Sequence, residues 1–439
     1  MKSGYNMTSE DSILQSVTKT GIGCYVFVCA LLALTCEFFY AWYLQLTNGL
    51  VVTGMRSIYN APNYMGPYIA GGSPWGIYIT NFIFWIGISH AGIAISASVR
   101  LMDLKKYKVV ARMAEVLTLV ALPMAGLSIV FDQGRPDRII NLLIYGRFQS
   151  PMLWDLTAIT TYFMGTIVYL YLSLRGDIDE LAHKLPKREW FYKRLAMNYE
   201  GTESEKERHN RTLWWLALAI VPIMVTVHSV VSFVFGLMIA RGQWYSSIFA
   251  IYFVVGAIVS GVAAVYSLAW IFRWVYKWQS LITDEVLKGI SWALRNVLII
   301  YIYLWIAEEL TTRYMGTSAD LSVSDYVWFG PYAPIFWTMA IVGFGVPAII
   351  MLRPVFTKHF NPALTFVASI ILNIALWVKR FTIVVPSLLN PPLYQVGVYI
   401  PTPTEISIML GTFWMATLLY IAFIKLFPII DLDLVKGEK

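Results

Sequence analysis

The sequence predicts an all-α polytopic membrane protein of about ten transmembrane helices, arranged as two parallel-repeat four-helix bundles plus two flanking helices. Three observations carry that prediction. Hydrophobic residues make up 58% of the 439 and charged residues 13%, about half the charge of a soluble domain. The apolar runs are continuous rather than alternating, which excludes a transmembrane β-barrel. Ten of them approach or exceed 20 residues, the length of a helix of about 30 Å.

The runs lie near 21–47, 76–100, 109–131, 152–174, 212–240, 248–272, 291–312, 332–352, 361–386 and 405–429. Ten crossings put both termini on one side, and the charges sort accordingly. Of 33 Lys and Arg, 25 fall on the terminal side and 6 in the opposite loops, with Lys379 and Arg380 inside the ninth run. The positive-inside rule then makes the chain a multi-pass protein of the cytoplasmic (plasma) membrane with both termini cytoplasmic. The net charge of +7 therefore reports topology and membrane lipid rather than a nucleic-acid partner.

Residues 1–75 form a polar tail, the first helix and an outer loop. Residues 76–240 form the first bundle and 241–386 the second; 387–439 hold an outer loop, the last helix and a tail. No cleavable signal peptide is evident, because the first 20 residues are polar and the first apolar run is long enough to span. Cys24, Cys29 and Cys36 all lie in that run and form neither CxxC nor CxxCH, so neither an iron–sulfur cluster nor a covalent haem is expected in this chain. The 175–211 segment, with nine basic and eight acidic residues, reads as a solvated linker. The outer loops NAPNYMGPYIAGGSPWG, FGPYAP and NPPLYQVGVYIPTPTE are rich in Gly, Pro, Tyr and Trp, and suit a docked extracytoplasmic partner.

The repeat rests on two pairs of strings. FWIGISHAGIA aligns with FVVGAIVSGVA, matching Phe84, Gly87, Gly92 and Ala94 to Phe253, Gly256, Gly261 and Ala263. SPMLWD aligns with APIFWT, matching Pro151 and Trp154 to Pro334 and Trp337. Where the repeat fails, His90 faces Val259 and Asp155 faces Thr338. The packing unit does not require those two ionisable groups, and intramembrane ionisable residues are costly. The first bundle is thus the candidate for chemistry.

Each candidate has a plainer alternative. His90 is either a packing histidine or a proton acceptor, a role suited to its titration range. His90 and His228 could ligate one haem b from two helices; His183, His209 and His359 lie in loops or at a helix end. Asp155 is read as sitting in the first turn of its helix, where dipole compensation explains it equally well. Arg135, Arg138 and Arg147 in the preceding loop can hold a polar headgroup, while Asp132 and Asp137 can neutralise them. Glu37, Glu115 and Glu308 in apolar runs offer a proton path. Glu115 follows Arg112 by three residues, so an ion pair explains it cheaply; Glu37 has no partner visible in the sequence. Lys379 and Arg380 should snorkel or pair with an acid.

NFIFWIGISHAGIAISA, GRPDR with SPMLWD, VHSVVSF with SSIFAIYFVVGAIVSG, NIALWVKRFTIVVPSL and YIPTPTE together resemble the NrfD/PsrC-like polysulfide-reductase membrane-subunit family. The nearest branch is the ten-helix membrane subunit of alternative complex III (ActC-like), with the quinone reductase complex subunit (QrcD-like) beside it. The resemblance covers most of 76–425. It implies a respiratory-complex subunit, itself without haem or iron–sulfur cluster, that binds menaquinone or ubiquinone near the outer surface of the first bundle. Electrons would pass to or from an extracytoplasmic iron–sulfur subunit, with molybdopterin-type or multihaem cytochrome subunits as further members of the complex. It places the family's quinone-site histidine on His90, its aspartate on Asp155 and the HSVVS histidine on His228; Arg135, Arg138 and Trp154 join the site. Asp132, Val234 and Lys379 depart from the family pattern, and those departures weigh against a proton route through the second bundle. Residues alone leave open a secondary transporter, or an anchor without quinone chemistry.

Overall fold

A computed structural model describes residues 9–55, 73–197, 199, 201–390 and 398–436. Arg56, residues 60–72 of the first loop string and residues 391–397 of the last lie outside them. Ten helices among the described residues are long and apolar enough to cross a membrane: α1 (Ile22–Asn48), α2 (Ile77–Leu101), α3 (Lys108–Asp132), α4 (Pro151–Lys184), α5 (Glu203–Gly236), α6 (Phe249–Val275), α7 (Asp284–Met315), α8 (Ala333–Thr357), α9 (Pro362–Leu389) and α10 (Pro403–Leu426). No strand occurs among them.

Local chemistry sets the helix starts. Proline fills the first position of α4, α9 and α10, where a missing N–H costs nothing. The Thr202, Thr283 and Thr402 side chains cap α5, α7 and α10. Pro123 and Pro222 lie inside α3 and α5 without ending them. Met339–Gly345 gives α8 a π-helical stretch.

The packing is cyclic in both halves. α2 touches α3 and α5, and α4 closes the ring by touching both; α6, α7, α8 and α9 repeat that circuit. α2 and α6 meet at the centre, and α10 packs on α1 and α3. A Cβ at Gly92 would run into the Ala114 carbonyl oxygen, so the α2 and α3 backbones approach where only glycine fits. The most hydrophobic stretch of α2 is 82% buried, that of α1 only 17%, which makes α2 the core and α1 the rim.

The two chain ends share one face, called terminal here; the other is distal. Lys425 Nζ donates to the carbonyls of Ser16 (2.7 Å) and Lys19 (2.8 Å). The 175–211 segment departs from its reading as a linker. It is largely the extensions of α4 and α5 plus a helix at Glu189–Ala196, and it buries Asp177, Leu181, Tyr192 and Ala196. Its charges mask amphipathic faces: Arg175 donates to the carbonyls of Ala196 and Met197 at 3.0 Å each, folding the short helix back. On the distal face Glu405 is fully buried. It accepts from Gly54 N (2.8 Å), Thr402 N (2.7 Å) and Tyr399 Oη (2.9 Å), tying α10 to the chain after α1.

Candidate functional site

The distal half of the first bundle encloses a cavity of about 580 Å3, within the range of small-molecule sites. Its walls come from α2, α3, α4 and α5, with the 133–142 segment as a roof. Trp75, Phe82 and Phe235 supply aromatic surface, and Asp132, Gln133 and Asp155 supply the polar groups.

Asp155 is the fifth residue of α4, past the turn where sequence reading set it. It caps nothing: the side chain is only 6% exposed, and Oδ1 has no hydrogen-bond partner among the described residues. A buried carboxylate oxygen without a donor is costly. Asp132, the last residue of α3, is equally buried.

His90 is held elsewhere. Its Nδ1 lies 2.5 Å from the Ile86 carbonyl and its Nε2 2.7 Å from the Met224 carbonyl. Carbonyls only accept, so an imidazole with one N–H donates to one of the two, and the tautomer decides which. The His228 ring meets it edge-on at 4.6 Å. Both rings are at most 1% exposed, and direct ring contact leaves no slot for a porphyrin between them, so the two do not sandwich a haem. Neither histidine lines the cavity. His228 stands behind Phe253 (5.9 Å), which packs on the cavity wall at Phe235 (6.2 Å).

The loop residues also stand apart from the cavity lining. Arg135 is exposed and chelates Asp137 through Nε (3.0 Å) and Nη2 (2.8 Å). Each holds the other charged: hydrogen bonding to Arg135 lowers the Asp137 carboxyl, and Asp137 raises the guanidinium. Arg138 is exposed. Trp154 Nε1 donates to the Phe148 carbonyl and so folds the loop into α4.

The three glutamates of the expected proton path sit in separate places. Glu37 is exposed on α1. Glu115 is buried near the terminal face and accepts from Ser96 Oγ. Arg112, its expected partner, turns to Asp177 on α4 instead, and Asp431 completes that cluster at 3.9 Å. Glu308 accepts from Ser246 Oγ (2.9 Å) on the distal side. Lys379 finds the acid foreseen for it, Glu309, at 3.5 Å; Arg380 Nη2 donates to Ser260 Oγ at 3.2 Å.

Sequence reading took Asp132 for a loop neutraliser and passed over Gln133 and Trp75. The readable signal for Asp132 was position: an acid closing the 109–131 apolar run, two residues before Gly134. Among the described residues, no group of three or more His, Cys, Asp or Glu is arranged to hold a metal.

A family model, polysulphide reductase NrfD, matches residues 67–392, well over half of the chain and all of both helix rings. The chain belongs to the NrfD family. A protein named as a dimethyl sulfoxide reductase membrane subunit, from Halobacterium salinarum, is 26% identical over 419 residues, covering 89% of this chain and 88% of its own. A selenate reductase subunit from Mesobacillus selenatarsenatis is 22% identical, covering 89% and 90%. An Hdr-like menaquinol oxidoreductase integral membrane subunit of Archaeoglobus fulgidus is 23% identical, covering 81% and 85%. As an NrfD-family member the chain is a multi-pass membrane subunit of an oxidoreductase complex. The helices around its cavity run unbroken, without the half-helix ends that transporters aim at a mid-membrane substrate.

Proposed function

We propose that this subunit binds a menaquinone or ubiquinone in the distal cavity of the first bundle and exchanges its electrons with an iron–sulfur subunit docked on the extracytoplasmic side. The observation that carries the reading is the Asp155 carboxylate: buried, unpartnered, and facing an apolar cavity large enough for an isoprenoid headgroup. A relative named as a menaquinol oxidoreductase subunit supports the substrate class.

The bound quinol supplies two electrons and two protons. The chain's own residues bind, orient and take protons. Trp75, Phe82 and Phe235 pack the ring plane and exclude water. Asp155 Oδ1 accepts a hydroxyl hydrogen from a quinol, or donates one to a quinone carbonyl in the opposite direction. Asp132 lies one helix away as a second proton acceptor at the cavity mouth. His90, set between two carbonyls and pressed against His228, stays behind the wall as a positioning residue rather than a headgroup contact. Electrons leave to, or arrive from, the partner's cluster, and the loop carrying Arg135 and Arg138 offers it a docking surface. With the terminal side cytoplasmic, the substrate protons exchange on the extracytoplasmic side.

The test is quinol-dependent turnover by the purified complex carrying Asp155→Asn or His90→Ala. Loss with Asp155→Asn supports the site. Wild-type turnover in both variants, with quinone still extractable by organic solvent, would move the site elsewhere; a complex without quinone would make the subunit an anchor.

A further inference from the structure

α1 carries an ionisable group where a membrane offers it nothing. Glu37 is exposed, eleven residues before the end of the helix at Asn48. At 1.5 Å per residue that is about 16 Å of helix, close to half the thickness of the hydrocarbon core. Among the described residues it is the one Asp, Glu, His, Lys or Arg both exposed and central in a span. The other central ones are buried, among them His90 between carbonyls, His228 against the His90 ring, Lys379 beside Glu309 and Arg380 on Ser260.

The rest of that face suits a helix rather than lipid. Cys29, Ala33 and Cys36 follow each other at helical spacing, all exposed, with Glu37 at their flank and Tyr40 one turn on. Small residues let a second backbone approach, and a polar group beside them supplies the interhelical bond. The opposite face is already used: Phe38 packs under Gly411 of α10, and Gln45 bonds the Phe131 carbonyl and the Tyr78 hydroxyl.

We infer that the Cys29–Tyr40 face of α1 docks a transmembrane helix of a different subunit, which brings a cationic or N–H-donating side chain to Glu37. A lipid chain has no donor to offer at that depth. A second copy of this chain, joined by a two-fold axis through the face, would set Glu37 against Glu37. The inference rests on the reading of this chain as one subunit of an oxidoreductase complex, but not on the quinone site.

The experiment places p-benzoylphenylalanine at position 40 in the full complex in its native membrane, with irradiation and mass spectrometry of the adducts. A cross-link to another membrane subunit is expected. Glu37→Leu should then cut that cross-link, and the partner's co-purification, at least tenfold, while Glu37→Gln retains part of both. Adducts with lipid only, or with a second copy, overturn the inference, as does unchanged co-purification in Glu37→Leu, the substitution that pure lipid contact would favour. Asp155→Asn turnover is read on the same preparations. Loss of turnover without the cross-link defeats only this inference; the cross-link with Asp155 indifferent defeats only the quinone site.

Discussion

The two helix rings share one packing circuit and differ in what they hold. In the second, ionic groups are consumed internally. Lys379 pairs with Glu309 and sits 4.7 Å over the Trp305 ring; Arg380 bonds Ser260; Tyr252 and Tyr301 share a 2.9 Å hydrogen bond. The spaces left among them are about 30 and 20 Å3, room for a water or two; the ring's larger hollow, about 490 Å3 between α8 and α9, has no ionisable group in its lining. In the first ring, Asp155 stands unpartnered on a cavity of about 580 Å3. A buried ionisable group that is paired and packed serves the fold, whereas one that is neither and faces a cavity is the candidate for a ligand.

That contrast is tested most severely by one residue from each ring. Asp155→Asn should lower quinol turnover by about 100-fold or more, the lower end of what a positioned proton acceptor contributes, with the thermal midpoint in detergent nearly unchanged. Lys379→Met should do the reverse. Leaving Glu309 unpaired costs about 3–5 kcal/mol if the site is fully dry, less here because Glu309 keeps 16% side-chain exposure and two indole donors. The yield of folded protein should fall while turnover per folded complex persists. If both variants behave alike, the distinction between the rings is gone.

Filling space should separate the rings next. A Cβ at Gly126 meets nothing within 4 Å and opens on the cavity. Gly126→Phe should therefore fold normally and raise the apparent KM for quinol about tenfold or more. At Gly343 a Cβ would collide with that of Ala375, so Gly343→Leu should cost about 1–3 kcal/mol of stability through overpacking, measured as a lower midpoint, with KM unmoved.

His90→Val puts the second ring's residue into the first. It abandons the Ile86 and Met224 carbonyls, at about 1–3 kcal/mol, and should reduce turnover about tenfold. A loss equal to that of Asp155→Asn would promote His90 from behind the wall to the headgroup. The smallest effect belongs to the exposed Arg135–Asp137 pair. Arg135 depresses the Asp137 carboxyl, so their attraction is complete above the ordinary carboxylate range and fades as pH falls through the depressed value. Asp137→Asn should leave the thermal midpoint at neutral pH unmoved, and only weaken retention of the extramembrane partner in high salt.

What the sequence determined by itself was the part of the architecture set by transfer energies. Ten apolar runs, a lopsided distribution of Lys and Arg, and threonine and proline at helix starts are local or summed quantities, independent of which helix lies next to which. Asp155 was also readable, because the second half of the repeat dispenses with it. The tertiary structure decided everything that depends on neighbours. It moved Arg112 from Glu115 to Asp177, because α4 brings an acid across the gap at closer range. It turned the charged 175–211 segment into helices, because the apolar face of the Glu189–Ala196 helix finds the extension of α4 and the end of α10 to cover it. It set His90 behind the cavity rather than in it, and left Glu37 facing outward. A helix face has no chemistry until the adjoining helix is known, and spacing along the chain does not say which of several buried polar groups will be satisfied by another element.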